Sequence, residues 1–207
     1  MSGFTSNTVL LGEYEFGYWP TRIGFPSISA CRAILYQTTT GLFGFHQATG
    51  YGPGKIDRDA KKFARFVTGH RSGTGTGLNL YLGAKLGGGS TYALGMPGMQ
   101  EMVAEVGAIA QELRFDGPAR VYDLSYNTAD LQGVYVEFVA LTDRCEMFIN
   151  NWVDHHDDSH KGPPTGSPGD HMISLAGKTD FSVPARVFLK ADIAGQHKVE
   201  PVPIPLR

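Results

Sequence analysis

Cysteine is scarce in this chain: Cys31 and Cys145 are the only two among 207 residues. Two thiols close one disulfide at most, so a disulfide-stapled scaffold is excluded and a reducing compartment fits at least as well. Long apolar runs are also missing. No stretch approaches the ~18 consecutive apolar residues of a membrane-spanning helix, so no membrane partner is expected. Neither sign of charge dominates, with 18 Lys and Arg against 20 Asp and Glu, which leaves no basic footprint for nucleic acid. Residues Met1 to Asn7 are polar, without a basic region followed by an apolar one. A cleavable signal peptide is therefore not expected; the expected location is cytoplasmic, or exported without such a peptide. Gly87-Gly88-Gly89 lacks the Gly-Lys-Ser/Thr of a phosphate loop and reads as a turn of close packing.

With 42% hydrophobic residues, a chain of this length fills one sizeable core better than two small ones. Residues 1–207 are therefore read as a single domain. Thr8 to Phe16 reads as a strand. Trp19-Pro20 and Phe25-Pro26 make a non-helical connector, because each proline biases the residue before it toward extended geometry. Two apolar runs flanking a polar turn, Gln37 to Gly41, are written as a β-hairpin, which Gly-Tyr-Gly-Pro-Gly at 50–54 ends. Lys55 to Thr68 has helical spacing: Ile56, Ala60, Phe63, Ala64 and Val67 share a face, with Asp57, Asp59, Lys61 and Lys62 on the wet side. After a glycine-rich loop around Gly73 to Gly77, Leu78 to Leu86 reads as a strand. A second helix runs from about Met99 to Arg114, with Met102, Val106 and Ile109 inward and Glu101, Glu105 and Glu112 opposite.

Arg120 to Leu124, Val134 to Leu141 and Cys145 to Asn150 read as strands. Asn151 to Asp170, broken by proline and glycine, reads as a long exposed loop. Val183 to Asp192 reads as the last strand and Pro201 to Pro205 as an extended tail. Strands with two interspersed helices give an α/β or α+β domain.

The hairpin carries the chemistry. Cys31 opens its first apolar run and His46 closes its second, so folding brings the two ends together. A histidine beside a cysteine draws the thiol toward the reactive thiolate, which is the minimal kit for nucleophilic acyl chemistry. Taken singly, Cys31 reads more readily as a buried core thiol, since free cysteine packs as a small hydrophobe. The pairing is what favours catalysis. Cys145, between Arg144 and Glu146, reads as a packing residue.

Ser29-Ala30-Cys31, with His46 fifteen positions after the cysteine, resembles the chemoreceptor glutamine deamidases (the CheD family) and the catalytic domain of cytotoxic necrotizing factor-type toxins. Ala33-Ile34-Leu35-Tyr36 looks like the strand that follows the cysteine in the chemotaxis enzymes, and Gly83-Ala84-Lys85-Leu86-Gly87-Gly88-Gly89 is similar to their Ala-Lys-x-x-Gly-Gly segment. The resemblance covers about Pro26 to Leu141. It implies an α+β fold (layered α/β), a mixed β-sheet sandwich core with flanking helices. It also implies Cys31 as nucleophile, His46 as its partner, and an upstream residue whose oxygen orients the histidine. Counted from the cysteine, that third position falls near Phe25, which can serve only through its backbone carbonyl; Ser27 is the nearest side-chain alternative. Ser29 would shape or hydrogen-bond the site. Ala30 stands where the family has glycine, and residues 142–207 have no recognised counterpart, which marks a divergent relative.

The implied activity is deamidation of a protein glutamine to glutamate through a thioester. It needs no cofactor and takes a protein substrate bearing a reactive glutamine, as a bacterial effector or toxin would. Transglutamination is a close variant, because an amine can resolve the same thioester. Two other readings stand beside it. One is a non-catalytic binding or assembly protein using the 151–170 loop. The other is a metal-dependent hydrolase built on Asp154, His155, His156, Asp157 and His160, whose spacing matches no familiar zinc pattern.

Overall fold

The computed structural model describes residues 9–47, 55–70, 75–87, 92–125, 133–152, 172–174, 197–199 and 202–204. In chain order the elements are β1 (Val9–Leu10), β2 (Glu15–Trp19), β3 (Arg22–Ile28), β4 (Arg32–Thr38), β5 (Gly41–Gln47), α1 (Lys55–Thr68), β6 (Gly77–Ala84), α2 (Met96–Leu113), β7 (Ala119–Asp123), β8 (Gly133–Ala140), β9 (Cys145–Trp152), β10 (Met172–Ser174), β11 (His197–Val199) and β12 (Val202–Ile204). They form a mixed α+β structure of two sheets and two helices. One sheet has the order β10-β2-β5-β4-β6-β7-β12 and the other β1-β3-β8-β9-β11. Each is mixed, because β1 runs parallel to β3 and β6 parallel to β7 while the remaining pairs are antiparallel.

Alternation along β4 decides the layering. Ala33 and Leu35 point into one core, and Ile34 and Tyr36 into another, as a two-residue side-chain period requires. The first core lies between the sheets, where Ala33, Leu35, Leu42 and Tyr81 meet Phe25, Val136, Phe138 and Met147. The second lies between the seven-stranded sheet and the helices. There Phe63 and Val67 of α1, with Met102, Val106 and Ile109 of α2, cover Phe16, Phe45, Leu80 and Leu82. The order is helices, seven-stranded sheet, five-stranded sheet. With both faces covered, every residue of β4 and β5 is buried. Parallel β6 and β7 need a crossover, and α2 supplies it. Among the described residues, no helix is long and apolar enough to cross a membrane.

Several expectations are corrected. The strand expected over Thr8 to Phe16 is two strands in different sheets, because the chain turns at Leu11–Tyr14. The proline-marked connector is extended as expected, and goes further in forming strand β3, tolerated because Pro26 falls at the register break between Phe25 and Ile28, where a ladder needs no donor. In the hairpin, Gln37 and Thr38 belong to β4, and the turn is Thr39-Thr40 alone. Helix α2 starts at Met96, one turn early, with Pro97 in its first turn, where a missing N–H costs nothing. Strand β6 ends at Ala84, and β9 continues through Asn151 and Trp152. Within the expected tail, β12 pairs with β7. Asp59 and Glu105, placed on wet helix faces by periodicity, are buried at 5% and 2% exposure. The glycine turn at 50–54, the loop beyond Trp152 and the strand expected over Val183 to Asp192 lie outside the described residues.

Both cysteines are free and buried. Cys145 donates its backbone N–H to the Tyr81 hydroxyl at 2.7 Å. Beside it, Gln37 donates to the Leu141 and Arg144 carbonyls at 2.8 and 3.0 Å, which seals the β8–β9 turn onto the end of the central hairpin. Burial pushes the Cys145 thiol up to about 12. An unfolded chain releases this proton nearer pH 8.5, so above that pH it binds fewer protons than the folded chain, and stability falls as pH rises toward 12. The expected results are a melting temperature that declines across this window and a smaller decline in Cys145→Ala, checked by thermal melts at stepped pH.

Candidate active site

Register places the two hairpin residues. His46 pairs directly with Ala33 across β4 and β5, so it shares the face of Ala33, which is also the face of Cys31, two residues away. Cys31 stands in the bend just before β4, so it and His46 lie at the same end of the hairpin, the end away from the turn. Both are buried, at 4% and 1% exposure.

The turn between β1 and β2 closes over them. The Leu11 carbonyl lies 2.7 Å from His46 Nδ1. A carbonyl only accepts, so Nδ1 carries the proton and Nε2 is the basic nitrogen of the neutral ring. Tyr14 N–H donates to the His46 carbonyl at 2.7 Å, and the Cys31 thiol donates to Glu13 Oε1 at 3.4 Å. The turn is tied internally by Gly12 N–H to Glu15 Oε2 at 2.8 Å and Glu15 N–H to the Gly12 carbonyl at 3.1 Å. It holds Tyr14 at a φ of 63°, a left-handed conformation that costs a non-glycine residue about 1–2 kcal/mol. One strained four-residue turn thus touches both candidate catalytic side chains.

Gly44 makes that closure fit. A Cβ at this position, on the His46 face of β5, would lie 2.6 Å from Leu11 Cδ1 and 2.9 Å from Ile23 Cγ2. Gly44→Val is expected to cost about 1–3 kcal/mol by overpacking. It should also move the Leu11 carbonyl off His46, read as loss of a slowly exchanging, downfield Nδ1–H signal in the NMR spectrum.

The other expected site residues are placed as follows. The Phe25 ring meets the His46 ring edge-on, with centroids 6.2 Å apart, and packs on Phe138 at 5.9 Å. The oxygen on His46 Nδ1 is that of Leu11. Ser29 is exposed in the bend before Cys31, and Ser27 lies in β3, its side chain outside the described set. Leu11, Glu13 and Arg32 are the residues that the sequence reading missed. Their signal is slight: Gly12-Glu13 interrupts an apolar run, as a turn does.

Arg32, next to Cys31, points to the opposite face. Its Nε lies 2.8 Å from Glu105 Oε2 and donates to the Tyr92 hydroxyl at 2.7 Å, and the Tyr92 hydroxyl also bonds Glu105. Gln47 Nε2 donates to Asp59 at 3.3 Å nearby. These buried polar contacts fasten α1, α2 and the β6–α2 connection to the end of the hairpin that bears the site. Burial raises the Glu105 carboxyl above its ordinary range, although Arg32 and Tyr92 pull it down. Among the described residues, no group of three or more His, Cys, Asp and Glu side chains is placed to hold a metal. The Asp154 to His160 cluster lies outside them.

No protein-family model matches the chain, and no curated protein matches it significantly.

Proposed function

We propose that this chain is a cysteine-dependent protein-glutamine deamidase, a divergent member of the superfamily that its Ser29-Ala30-Cys31 and His46 elements resemble. The layering of two mixed sheets with helices on one side is compatible with that fold. The observation that carries the reading is the convergence at one end of the sandwich of three groups. Cys31 and His46 share a face, and a main-chain oxygen fixes the histidine in the tautomer that a general base needs.

In this mechanism the Cys31 thiol moves out of its bond to Glu13, loses its proton to His46 Nε2, and forms an S–C bond to the glutamine carboxamide carbon. Main-chain N–H groups beside Cys31 meet the tetrahedral oxyanion. His46 returns the proton to the leaving nitrogen as the C–N bond breaks, and ammonia departs. Water adds to the thioester, the S–C bond breaks, and the thiol is restored. The balance is glutamine plus water giving glutamate plus ammonia, with no redox change and no cofactor. The substrate is a protein, met in the cytoplasm or after export without a cleavable peptide.

The test incubates the full chain with denatured casein and a blocked glutaminyl-glycine dipeptide in 18O-water. Ammonia release with 18O entering the glutamate side chain supports the reading. Absence of both, from protein whose Cys31 still reacts with alkylating agents, overturns it. Deep burial of Cys31 favours a second reading, a binding protein on the same scaffold. Its expected signature is a Cys31 thiol with the alkylation rate of an ordinary buried cysteine, unchanged by loss of His46.

A further inference from the structure

We propose that Glu13 is the specificity-determining residue of this site, selecting a neutral carboxamide over a carboxylate at Cys31. The inference deepens the deamidase reading and rests on it for the identity of the amide. Its physical content can be measured apart from turnover.

Glu13 is exposed on the closing turn, yet its Oε1 lies 3.4 Å from the Cys31 sulfur. An acyl carbon must come to within about 3–3.5 Å of that sulfur to be attacked. A group borne by that carbon on the side of the closing turn therefore comes within reach of the Glu13 carboxylate. A carboxamide brings an NH2 group that donates to the carboxylate in a charge-assisted bond. A carboxylate brings no donor and a second negative charge, which is repelled. The cation adjacent in sequence turns to the other face of the sheet, where Glu105 and Tyr92 engage Arg32 directly, and the Cys31 sulfur is only the weakest of its charge partners. Glu13 thus admits the substrate's functional group and expels the product's, which differ by this one charge.

Iodoacetamide and iodoacetate are the matched probes. Each forms the same S–C bond to the Cys31 thiolate and releases iodide, the thiol proton passing to solvent or His46. They differ only in amide against carboxylate. Rates at Cys31 are followed by peptide mass in the intact chain near neutral pH, with free cysteine as the reference and the raised, buried Cys145 thiol as the internal control. The wild type should favour iodoacetamide more strongly than free cysteine does. Glu13→Gln should lower that ratio about fivefold, the worth of one like charge at about 4 Å in water. Glu13→Asp should keep most of it. Raising the salt should narrow the wild-type preference and move the Glu13→Gln ratio less, since there only the thiolate's own repulsion of iodoacetate remains to be screened.

A ratio unchanged in Glu13→Gln overturns the proposal. Where both rates change by the same factor, that unchanged ratio would assign Glu13 to the thiol alone; a Cys31 that neither reagent reaches overturns the proposal as well. A wild type that releases no ammonia, but whose ratio still falls on Glu13→Gln, would remove deamidation and keep the selectivity.

Discussion

Replacing Cys31 by serine is expected to abolish ammonia release, a fall of at least about 10³-fold, while the fold survives. Removing the nucleophile of a covalent mechanism removes a pathway and does more than weaken a contact, and losses of that size or larger are general for such residues. Serine is close in volume to cysteine, and its hydroxyl can still donate to Glu13. A stability change near 1 kcal/mol is therefore expected, or about 2–4 °C in melting temperature for a chain of this size. The two measurements together separate loss of chemistry from loss of structure. His46→Gln should fall nearly as far. The double variant should be no slower than the worse single one, because the members of a nucleophile–base unit do not act additively. Serine activity within tenfold of wild type would remove Cys31 from the mechanism.

How much of this was legible depends on the range of the interaction concerned. The placing of Cys31 and His46 at one end of the hairpin is local: it needs only the 24 residues from Ser27 to Gly50, and periodicity writes that hairpin. Helix α1 was legible to its ends for the same reason. The oxygen on His46 was not, because Leu11 stands 35 positions away and acts through its main chain, which leaves no side-chain signature. The turn that delivers it was hidden in what looked like one strand, marked only by Gly12-Glu13. Periodicity also misplaced Asp59 and Glu105. It assigns charge to water by default, and cannot see that Gln47 and Arg32 await these carboxylates on the sheet. Sheet order was beyond reach as well, since β1 and β2 are four residues apart yet belong to different layers.

The largest effect on stability is expected from the cluster behind Cys31. Glu105→Ala should destabilise the fold by about 3–5 kcal/mol, because it leaves the Arg32 charge buried without its partner. For a chain of this size that is a drop of about 6–20 °C in melting temperature. The geometry explains the size. Glu105 Oε2 takes both Arg32 and Tyr92, and burial raises the Tyr92 hydroxyl far above the ordinary tyrosine range, which keeps it protonated as a donor. Glu105 Oε1 has no hydrogen-bond partner among the described residues, so the pair is held at a desolvation cost rather than as a surplus. Replacing both charges, Arg32→Met with Glu105→Leu, should accordingly cost less than Glu105→Ala alone, since an apolar pair of similar volume avoids that cost. A double variant as unstable as the sum of its single variants would mean that the two charges are not coupled. If they are coupled, the double variant also asks what the ion pair is for. Arg32 follows Cys31 and joins β4 to α2, so a stable double variant with slowed deamidation would assign the pair to positioning the nucleophile. Wild-type turnover would assign it to the register of helix on sheet.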